Sequence, residues 1–249
     1  MNFIAIIPAR YQSTRFPGKP LAILGNKPII QHVYEHASAA MKRVWVATDD
    51  QRIADGVAGF GGNVVMTRTD HQSGTDRCAE AAGKIAAQID FDVVVNIQGD
   101  EPFIRHEQIE ALKHCFDDPE TQIATLIKKA ESNAELFNPN RPKVVIDNWQ
   151  DALLFSRCAI PHIRGKEQEQ WMAAHSFYCH LGMYAYRREV LNAITQLPPS
   201  TLERAESLEQ LRWLENGYRI KTAVTPFESI GIDTPEDLET AKKLLQTGC

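Results

Sequence analysis

The sequence predicts an α/β fold, a single domain over residues 1–249 with a mostly parallel sheet and helices on both faces. Continuous apolar runs such as Phe3–Ile7 and Val93–Ile97 are typical of strands that are buried on both faces of a parallel sheet. Segments with helical patterning separate these runs, which is the arrangement of βαβ units. The length of 249 residues suits one such domain with a small extension.

The first half of the chain keeps this alternation after the first strand. Proline fits the first turn of a helix, so a helix is predicted to open at Pro28. The elements that follow are a strand at Val44–Ala47, a helix through Ile53 and Val57, a short strand at Val64–Met66, an Ala-rich helix from Asp76 to about Gln88, the strand at Val93–Ile97 and a helix at Glu107–Phe116.

The middle of the chain breaks the alternation. Lys143–Ile146, Leu153–Ser156 and Leu181–Arg187 read as strands without helices between them, which predicts a small β-rich, antiparallel extension over about 130–190. Regular alternation then returns with a helix at Leu208–Asn216 that ends at Gly217, a strand at Ile220–Val224 and a final helix capped by Thr234.

Composition narrows the classes of partner. The formal net charge of −5 argues against a surface for nucleic acid or for an anionic membrane, and no run approaches the roughly 20 apolar residues of a membrane span. Met1–Pro8 lacks a basic region and a cleavage site, so we expect no signal peptide. The five cysteines (Cys78, Cys115, Cys158, Cys179 and Cys249) form no CxxC pair, which favours free thiols in a reducing cytoplasm.

The loop after the first strand has the composition of a phosphate-binding site. Ligands of open α/β sheets bind beyond the carboxyl ends of the strands. Arg10, Arg15 and Lys19 lie within ten residues there, together with Ser13 and Gly18. Arginine binds phosphate oxygens in a bidentate manner and lysine acts as a point charge, so this loop suits a triphosphate. A solvated basic loop is the alternative, and a Walker A sequence is absent.

Two aspartates are candidates for a magnesium site. Asp100 follows the strand at Val93–Ile97, in the segment Asn96-Ile97-Gln98-Gly99-Asp100, and Asp233 precedes the last helix. Mg²⁺ prefers one or two carboxylates together with oxygens of substrate phosphates and water. For Asp233 a role as a turn residue beside a helix N-terminus is an equal alternative.

The segment Ser73-Gly74-Thr75-Asp76-Arg77 leads into a helix, and small residues at a helix N-terminus suit a nucleotide base or ribose. A simple helix cap explains the same residues. Two other patterns are interpreted as structural. Asp49 or Asp50 caps the next helix rather than binding a metal, and His32 and His36 are surface residues.

These motifs together resemble one family. The segments PARYQSTRFPGKPL, SGTDR, NIQGDEP and GIDTPEDL resemble those of the CMP-KDO synthetases, relatives of the CMP-sialate synthetases, where KDO is 3-deoxy-manno-octulosonate. The resemblance covers residues 3 to about 245 and implies a Rossmann-like fold of the nucleotide-diphospho-sugar-transferase type. It implies Mg²⁺ on Asp100 and Asp233, catalytic roles for Arg10, Arg15 and Lys19, and nucleotide binding by Pro8, Ala9, Arg10, Ser13, Lys19, Ser73 and Arg77.

The resemblance also implies an acid-sugar pocket. Segments around Ser156, Tyr184 and Gln210 are similar to the KDO-binding segments of the family. Arg157 would pair with the sugar carboxylate, and Arg164 would be a second sugar-binding arginine, although the sequence departs from the family at Ile163–Phe177. The hydroxyl-binding residues implied by resemblance are Gln98, His180, Tyr184, Glu209 and Gln210. On periodicity alone, His180 and Tyr184 could be sheet residues and Glu209 a solvated helix residue.

The implied reaction activates KDO with CTP, in a cytoplasmic homodimer serving lipopolysaccharide biosynthesis. The anomeric hydroxyl attacks the α-phosphate in line and pyrophosphate leaves, with one Mg²⁺ on the aspartates and a second held mainly by phosphates. Three alternatives remain: another acid sugar such as sialate or amino-substituted KDO, a nucleotide-binding regulator without catalysis, and a glycosyltransferase that uses Asp49 and Asp50.

Overall fold

A computed structural model of the protein describes residues 1–246, so Cys249 lies outside the described part of the chain. The described strands are β1 (Phe3–Ala9), β2 (Ile23–Leu24), β3 (Lys27–Pro28), β4 (Val44–Thr48), β5 (Val64–Met66), β6 (Val93–Asn96), β7 (Ile123–Lys129), β8 (Lys143–Ile146), β9 (Ala152–Ser156), β10 (Tyr178–Arg187) and β11 (Ile220–Val224). The described α-helices are α1 (Ile29–Ala40), α2 (Gln51–Gly59), α3 (Gly74–Ala86), α4 (His106–His114), α5 (Asn133–Leu136), α6 (Trp171–Ala174), α7 (Arg188–Ile194), α8 (Thr201–Glu206), α9 (Gln210–Glu215) and α10 (Pro235–Gln246).

The chain divides into two compact units, which are described separately. The first unit comprises Met1–Glu110, Arg187–Thr195 and the residues from Ser229 onward. The second comprises Ala111–Tyr186 and Gln196–Glu228. The count of one domain stays a prediction.

The first unit contains the parallel sheet that the apolar runs predict. Its strands are ordered β6-β1-β4-β5, and every neighbouring pair is parallel. Side chains on both faces of β1 and β6, among them Ile6, Ile7, Val94 and Val95, are fully buried. Burial on both faces explains why these strands are continuously apolar rather than alternating.

The second unit contains a mixed sheet in the order β11-β7-β10-β8-β9. β11 and β7 are parallel, whereas β10 is antiparallel to β7 and to β8, and β8 is antiparallel to β9. The predicted antiparallel extension is therefore confirmed. A buried cluster that includes Leu136, Trp171 and Phe177 packs beneath these strands within the same unit.

Sequence reasoning missed β7, a strand at the centre of the second unit. Its residues Ile123–Lys129 are buried except for the last, and they read as a short apolar run that ends in two lysines. The predicted elements around it agree with the structure to within a few residues. Pro28 lies at the N-cap of α1 rather than in its first turn, and Glu107–Phe116 ends as an α-helix at His114 before a short 3₁₀ turn.

Two further expectations concern helices and cysteines. Among residues 1–246, every helix is too short or too polar to cross a lipid bilayer. Cys78, Cys115, Cys158 and Cys179 are all free thiols.

Candidate active site

The loop after β1 folds back on itself and brings its cations to one cleft. Gly18 has φ of +73°, a left-handed conformation that favours glycine, and its N–H donates to the carbonyl oxygen of Tyr11 at 2.8 Å. A Cβ on Gly18 would lie 3.0 Å from the Tyr11 ring. The guanidinium of Arg52, in α2, lies 3.3 Å from the centroid of that ring on the loop. The loop is thus held by its own backbone and by α2.

The two predicted metal ligands, which are far apart in the sequence, lie beside each other. The backbone N–H of Ile232 donates to the carbonyl oxygen of Asp100 at 2.9 Å, so the two aspartate segments are hydrogen-bonded through the main chain. Lys19 Nζ lies 2.5 Å from Asp100 Oδ2 and 3.1 Å from Asp233 Oδ1. Arg15 also pairs with Asp233 Oδ1, at 3.1 Å. The Lys19 ammonium group therefore pairs with both carboxylates, and the Arg15 guanidinium supplies a second positive charge.

This arrangement fits a magnesium ion. Asp100 and Asp233 converge on a single positive charge, which shows that their oxygens can reach one cation. Over the described residues 1–246, no group of three or more His, Cys, Asp or Glu side chains is arranged to hold a metal. The protein would supply two carboxylates and leave the other positions to water and phosphate oxygens, as Mg²⁺ prefers.

Glycine at position 99 is required by packing between strand ends. A Cβ on Gly99 would lie only 2.8 Å from the carbonyl oxygen of Pro8, and real Cβ atoms do not approach backbone so closely. Gly99 lies in a turn in which the N–H of Glu101 donates to the carbonyl oxygen of Gln98 at 3.3 Å. The loop after β6 thus passes close to Pro8 of β1, and Asp100 lies next to Lys19.

Glu101 is a buried carboxyl that sequence reasoning did not single out. Burial raises its pKa to about 7, and the negative charges of Asp100 and Asp233 act in the same direction, whereas a hydrogen bond from the Ser229 hydroxyl opposes them. Its side chain links the Asp100 segment to the segment that leads to Asp233. Its role is therefore to fix the relative position of the two aspartates.

The cleft of the first unit encloses about 280 Å³. All residues predicted for phosphate, nucleotide and metal binding line it, together with Gln98 from the predicted sugar set. Those residues are Pro8, Ala9, Arg10, Ser13, Arg15, Lys19, Ser73, Arg77, Gln98, Asp100 and Asp233. The lining residues that the sequence analysis missed are Thr14, Pro20, His71 and Gln72.

The first turn of α3 forms another part of the cleft wall. Ser73 is the N-cap, and its Oγ accepts a hydrogen bond from the N–H of Asp76 at 3.1 Å. Arg77 is buried, and its guanidinium donates to Thr67 Oγ1 at 2.6 Å and to Asp49 Oδ2 at 3.1 Å. Arg77 is thus held firmly at the cleft wall by groups of the protein.

The same contacts decide between the two interpretations of Asp49 and Asp50. Asp50 caps α2, because its Oδ1 accepts from the N–H of Arg52 at 3.0 Å. Asp49 has a different function, as the carboxylate that pairs with Arg77. The expectation that this acidic pair is structural is therefore confirmed.

The second unit brings several residues predicted to bind the sugar into one aromatic cluster. The His180 ring lies 5.2 Å from the Tyr184 ring and 5.1 Å from the Phe155 ring, and its Nε2 lies 3.0 Å from Thr125 Oγ1. Burial lowers the pKa of His180 to about 3. Burial and the negative charge of Glu209 raise the pKa of Tyr184. Both side chains are therefore neutral near pH 7.

Gln210 and Arg157 have contrasting environments. The Nε2 of Gln210 is buried and has no hydrogen-bond partner among residues 1–246, which is unusual for a buried amide and fits a group that binds a polar ligand. The Arg157 guanidinium instead donates to the backbone carbonyl oxygens of Glu206, Pro139 and Ser207 at 2.6, 3.0 and 3.2 Å. Arg164 is exposed. Contact of these two arginines with a sugar stays a prediction.

The chain is similar over nearly its full length to proteins of one enzyme family. A family model described as cytidylyltransferase matches residues 4–230. A protein of Parabacteroides distasonis named 3-deoxy-manno-octulosonate cytidylyltransferase is 59% identical over 98% of both chains. The protein of the same name from Bacteroides thetaiotaomicron is 58% identical over 99% of both chains.

Solved structures extend the comparison. A CMP:2-keto-3-deoxy-manno-octonic acid synthetase complexed with CTP is 44% identical, covers 100% of both chains and superposes with a TM-score of 0.91. A 4-diphosphocytidyl-2C-methyl-D-erythritol synthase from Anaerococcus prevotii is only 12% identical but has a TM-score of 0.62, so it shares the fold. The predicted α/β fold class is confirmed by these neighbours.

Proposed function

The chain belongs to the cytidylyltransferase family, among the 3-deoxy-manno-octulosonate cytidylyltransferases, and we propose that it activates KDO with CTP, giving CMP-KDO and pyrophosphate. The observation that carries this function is a cleft that holds three cationic side chains from the loop after β1 together with Asp100, after β6, and Asp233, before α10. A triphosphate and its metal need this combination of charges. The product is the activated sugar for lipopolysaccharide biosynthesis.

The reaction joins the anomeric oxygen of KDO to the α-phosphorus of CTP while the bond to pyrophosphate breaks. Such a transfer requires positioning and stabilisation of negative charge more than covalent catalysis. Arg10, Arg15 and Lys19 would neutralise the charge that builds on the phosphate oxygens. The rigid hold on their loop, through Gly18 and the Arg52–Tyr11 contact, supports this assignment because it fixes the cations before the substrate arrives.

Mg²⁺ would be held by Asp100 and Asp233. When bound there, the ion would lower the pKa of the attacking hydroxyl and offset charge on the α-phosphate. Lys19 and Arg15, which pair with these carboxylates in the structure, would then serve the phosphate oxygens. The assignment is supported by the convergence of both carboxylates on one cation.

The nucleoside of CTP would bind at the other wall of the cleft. Pro8, Ala9, Ser73 and Arg77 line it there, and the N–H groups of the first turn of α3 point toward its N-terminus. Within the first unit, Gln98 is assigned to sugar binding. Within the second unit, the residues assigned to sugar binding are Arg157, Arg164, His180, Tyr184, Glu209 and Gln210. The neutral side chains of His180 and Tyr184 and the buried amide of Gln210 support binding of hydroxyl groups.

The protein would act as a homodimer in the cytoplasm. A candidate dimer surface, the hairpin surface, consists of Trp149, Leu153 and Leu154, which are 73%, 60% and 39% exposed around the β8–β9 hairpin. Large apolar side chains that are exposed in a short segment favour burial against a second copy. The cytoplasmic location is supported by the free thiols of the four described cysteines.

The test is pyrophosphate release from each of CTP, UTP, ATP and GTP with KDO or sialate, with and without Mg²⁺. We expect release with CTP, KDO and Mg²⁺ together. Release with CTP and sialate but not with KDO would show that the acceptor is sialate, and the assignment of the nucleotide site would stand. No release from folded protein in any combination would contradict catalysis and favour a regulator. A nucleoside diphosphate as product would instead indicate a glycosyltransferase.

A further inference from the structure

His71 lies in the cleft wall beside Ser73, and neither the sequence analysis nor the proposed mechanism gives it a task. Its side chain is only 6% exposed, and its remaining exposure is toward the cleft that it lines. It lies on the loop between β5 and α3, on the side of the cleft assigned to the nucleoside.

One nitrogen of the His71 ring is held by a carboxylate. Nε2 is hydrogen-bonded to Glu80 Oε2, on α3. Glu80 also accepts from the N–H of Arg68 at 3.0 Å and pairs with Lys84 at 2.7 Å. Burial opposes ionisation of Glu80, but Lys84, the Arg68 N–H and His71 outweigh it and hold its pKa at about 2. Glu80 is thus an ionised acceptor at neutral pH.

This pairing fixes which nitrogen carries the proton. An ionised carboxylate can only accept, so Nε2 of His71 must be protonated. In the neutral ring Nδ1 is then an acceptor, and a carboxylate partner fixes the orientation of the ring in the same way as it does for histidines that bind metals. Among residues 1–246, Glu80 is the hydrogen-bond partner that the structure gives to this ring.

Nδ1 of His71 is a hydrogen-bond acceptor in a cleft that is lined by several donors. Arg10, Lys19, Arg77 and the N–H groups at the start of α3 are all donors and suit phosphates and carbonyl oxygens. The nucleoside of CTP also carries donors of its own, namely the exocyclic amine of cytosine and the ribose hydroxyls. An oriented imidazole acceptor complements these groups.

We propose that His71 is a further nucleoside-binding residue, whose Nδ1 accepts a hydrogen bond from the exocyclic amine or the ribose 2′-hydroxyl of CTP. Glu80 is the positioning residue that fixes the tautomer and orientation of the ring. The proposal rests on the proposed function insofar as CTP is the nucleotide.

The test compares two isosteres by calorimetric titration with CTP, UTP and 2′-deoxy-CTP. In His71→Gln the amide replaces Nε2, keeping the bond to Glu80 and losing the group at Nδ1. In His71→Asn the amide replaces Nδ1 and loses the bond to Glu80. We expect His71→Gln to bind CTP about tenfold more weakly, with His71→Asn closer to wild type. The matched control is His36→Gln, an exposed histidine of α1.

The three nucleotides distinguish the donors. If the amine is bound, His71→Gln loses the preference for CTP over UTP, and if the ribose hydroxyl is bound, it loses the preference for CTP over 2′-deoxy-CTP. Wild-type affinity of His71→Gln for all three, or an equal loss for all three, overturns the proposal. Wild-type turnover of CTP and KDO is measured beside these titrations, so failure of the proposed function is seen separately.

Glu80 requires its own readout. Glu80→Gln keeps an acceptor for Nε2–H, whereas Glu80→Ala removes it. We expect Glu80→Ala to raise KM for CTP several-fold with kcat little changed, and Glu80→Gln to restore much of the loss. Equal KM values in the two variants, with a lower melting temperature in both, would show that Glu80 is only structural and would overturn its positioning role.

Discussion

Lys19 pairs with both carboxylates of the proposed magnesium site, where an ion of charge +2 would bind. Its ammonium group is within hydrogen-bond distance of both Asp100 and Asp233, and it is more buried than either carboxylate. The aspartates are about a third and a half exposed, so solvent screens their mutual repulsion. Removal of one carboxylate therefore leaves the other paired, and the fold should tolerate it.

The first prediction follows from this arrangement. Asp100→Asn should keep the melting temperature of wild type and reduce kcat by about 10²-fold or more, because a neutral amide is a poor ligand for Mg²⁺. Asp55→Asn, an exposed aspartate of α2, is the control. Turnover of the Asp100 variant within a few-fold of wild type at saturating Mg²⁺ would remove Asp100 from the metal site.

The second prediction concerns the partly buried His180. Its pKa is about 3 in the folded protein because burial disfavours the charged ring, against about 6.5 in an unfolded chain. Between these values the unfolded state binds one more proton than the folded state. The free energy of unfolding therefore falls as the pH is lowered through this range, by up to about 1.4 kcal/mol per pH unit from this group, and the contribution is constant above pH 6.5.

Urea unfolding of wild type and His180→Gln at pH 7.5, 6 and 5 isolates this term. The variant should lose stability with falling pH less steeply than wild type, since glutamine does not titrate. Parallel curves for the two proteins would show that the pKa of His180 is the same in the folded and unfolded states.

At the scale of elements, the N-terminus of α3 combines a cap and a ligand site. Ser73 both caps the helix and lines the cleft. Asparagine and aspartate cap helices about as well as serine, so both substitutions should keep the melting temperature. The larger rise in KM for CTP, by about tenfold or more, should come with Ser73→Asp, because it adds a negative charge to the cleft that binds the anionic nucleotide. Similar KM values for Ser73→Asn and Ser73→Asp would place the nucleotide away from the N-terminus of α3.

The phosphate loop provides a fourth prediction with a matched control. Gly18 and Gly61 have nearly the same positive φ, +73° and +79°, so alanine at either should lower the free energy of unfolding by about 1 kcal/mol. An added Cβ meets Tyr11 at Gly18 and nothing at Gly61. We therefore expect KM for CTP to rise several-fold only in Gly18→Ala. An equal effect of both substitutions on KM would contradict a role for the Tyr11 contact.

Strands whose ends are marked by turn residues could be predicted from the sequence. A strand that depends on pairing with distant segments was harder to predict. Val44–Thr48, Val64–Met66 and Ile220–Val224 were placed to within a residue, because apolar runs and turn residues mark their ends. β7 was missed although Asp118-Pro119 signals a turn before its apolar run. Its identity as a strand depends on pairing with β10 and β11, which come much later in the chain.

At the scale of the whole molecule, the fifth prediction tests the dimer. Leu154→Glu and Leu153→Glu would place a charge in the hairpin surface, and burying an unpaired charge is costly. We expect these variants to elute as monomers in size-exclusion chromatography with light scattering, while wild type elutes at twice the mass of the chain. Leu202→Glu changes an exposed leucine of α8 and is the control. A dimeric Leu154→Glu variant would place the interface elsewhere.

Site residues could be predicted where several charged residues of the required type occur within one short segment. The cations at Arg10, Arg15 and Lys19 and the aspartates at Asp100 and Asp233 were all found in one cleft. The pairing of Arg77 with Asp49 and the place of His71 in the cleft wall were not predicted. Each depends on where a side chain points after distant segments have packed, which spacing along the chain does not encode.

The main-chain bond from Ile232 to Asp100 has a consequence for the timing of synthesis. The first unit is discontinuous, since the chain leaves it after Glu110 and finally returns at Ser229. A nascent chain that has just passed residue 228 carries the parallel strands and the basic loop, yet it lacks Asp233. The ribosome must therefore make the second unit before Asp233, one of the two proposed metal ligands, exists. Chains that terminate before Asp233 should therefore have no catalytic activity. The activity of a cell extract would then be proportional to the amount of full-length protein alone.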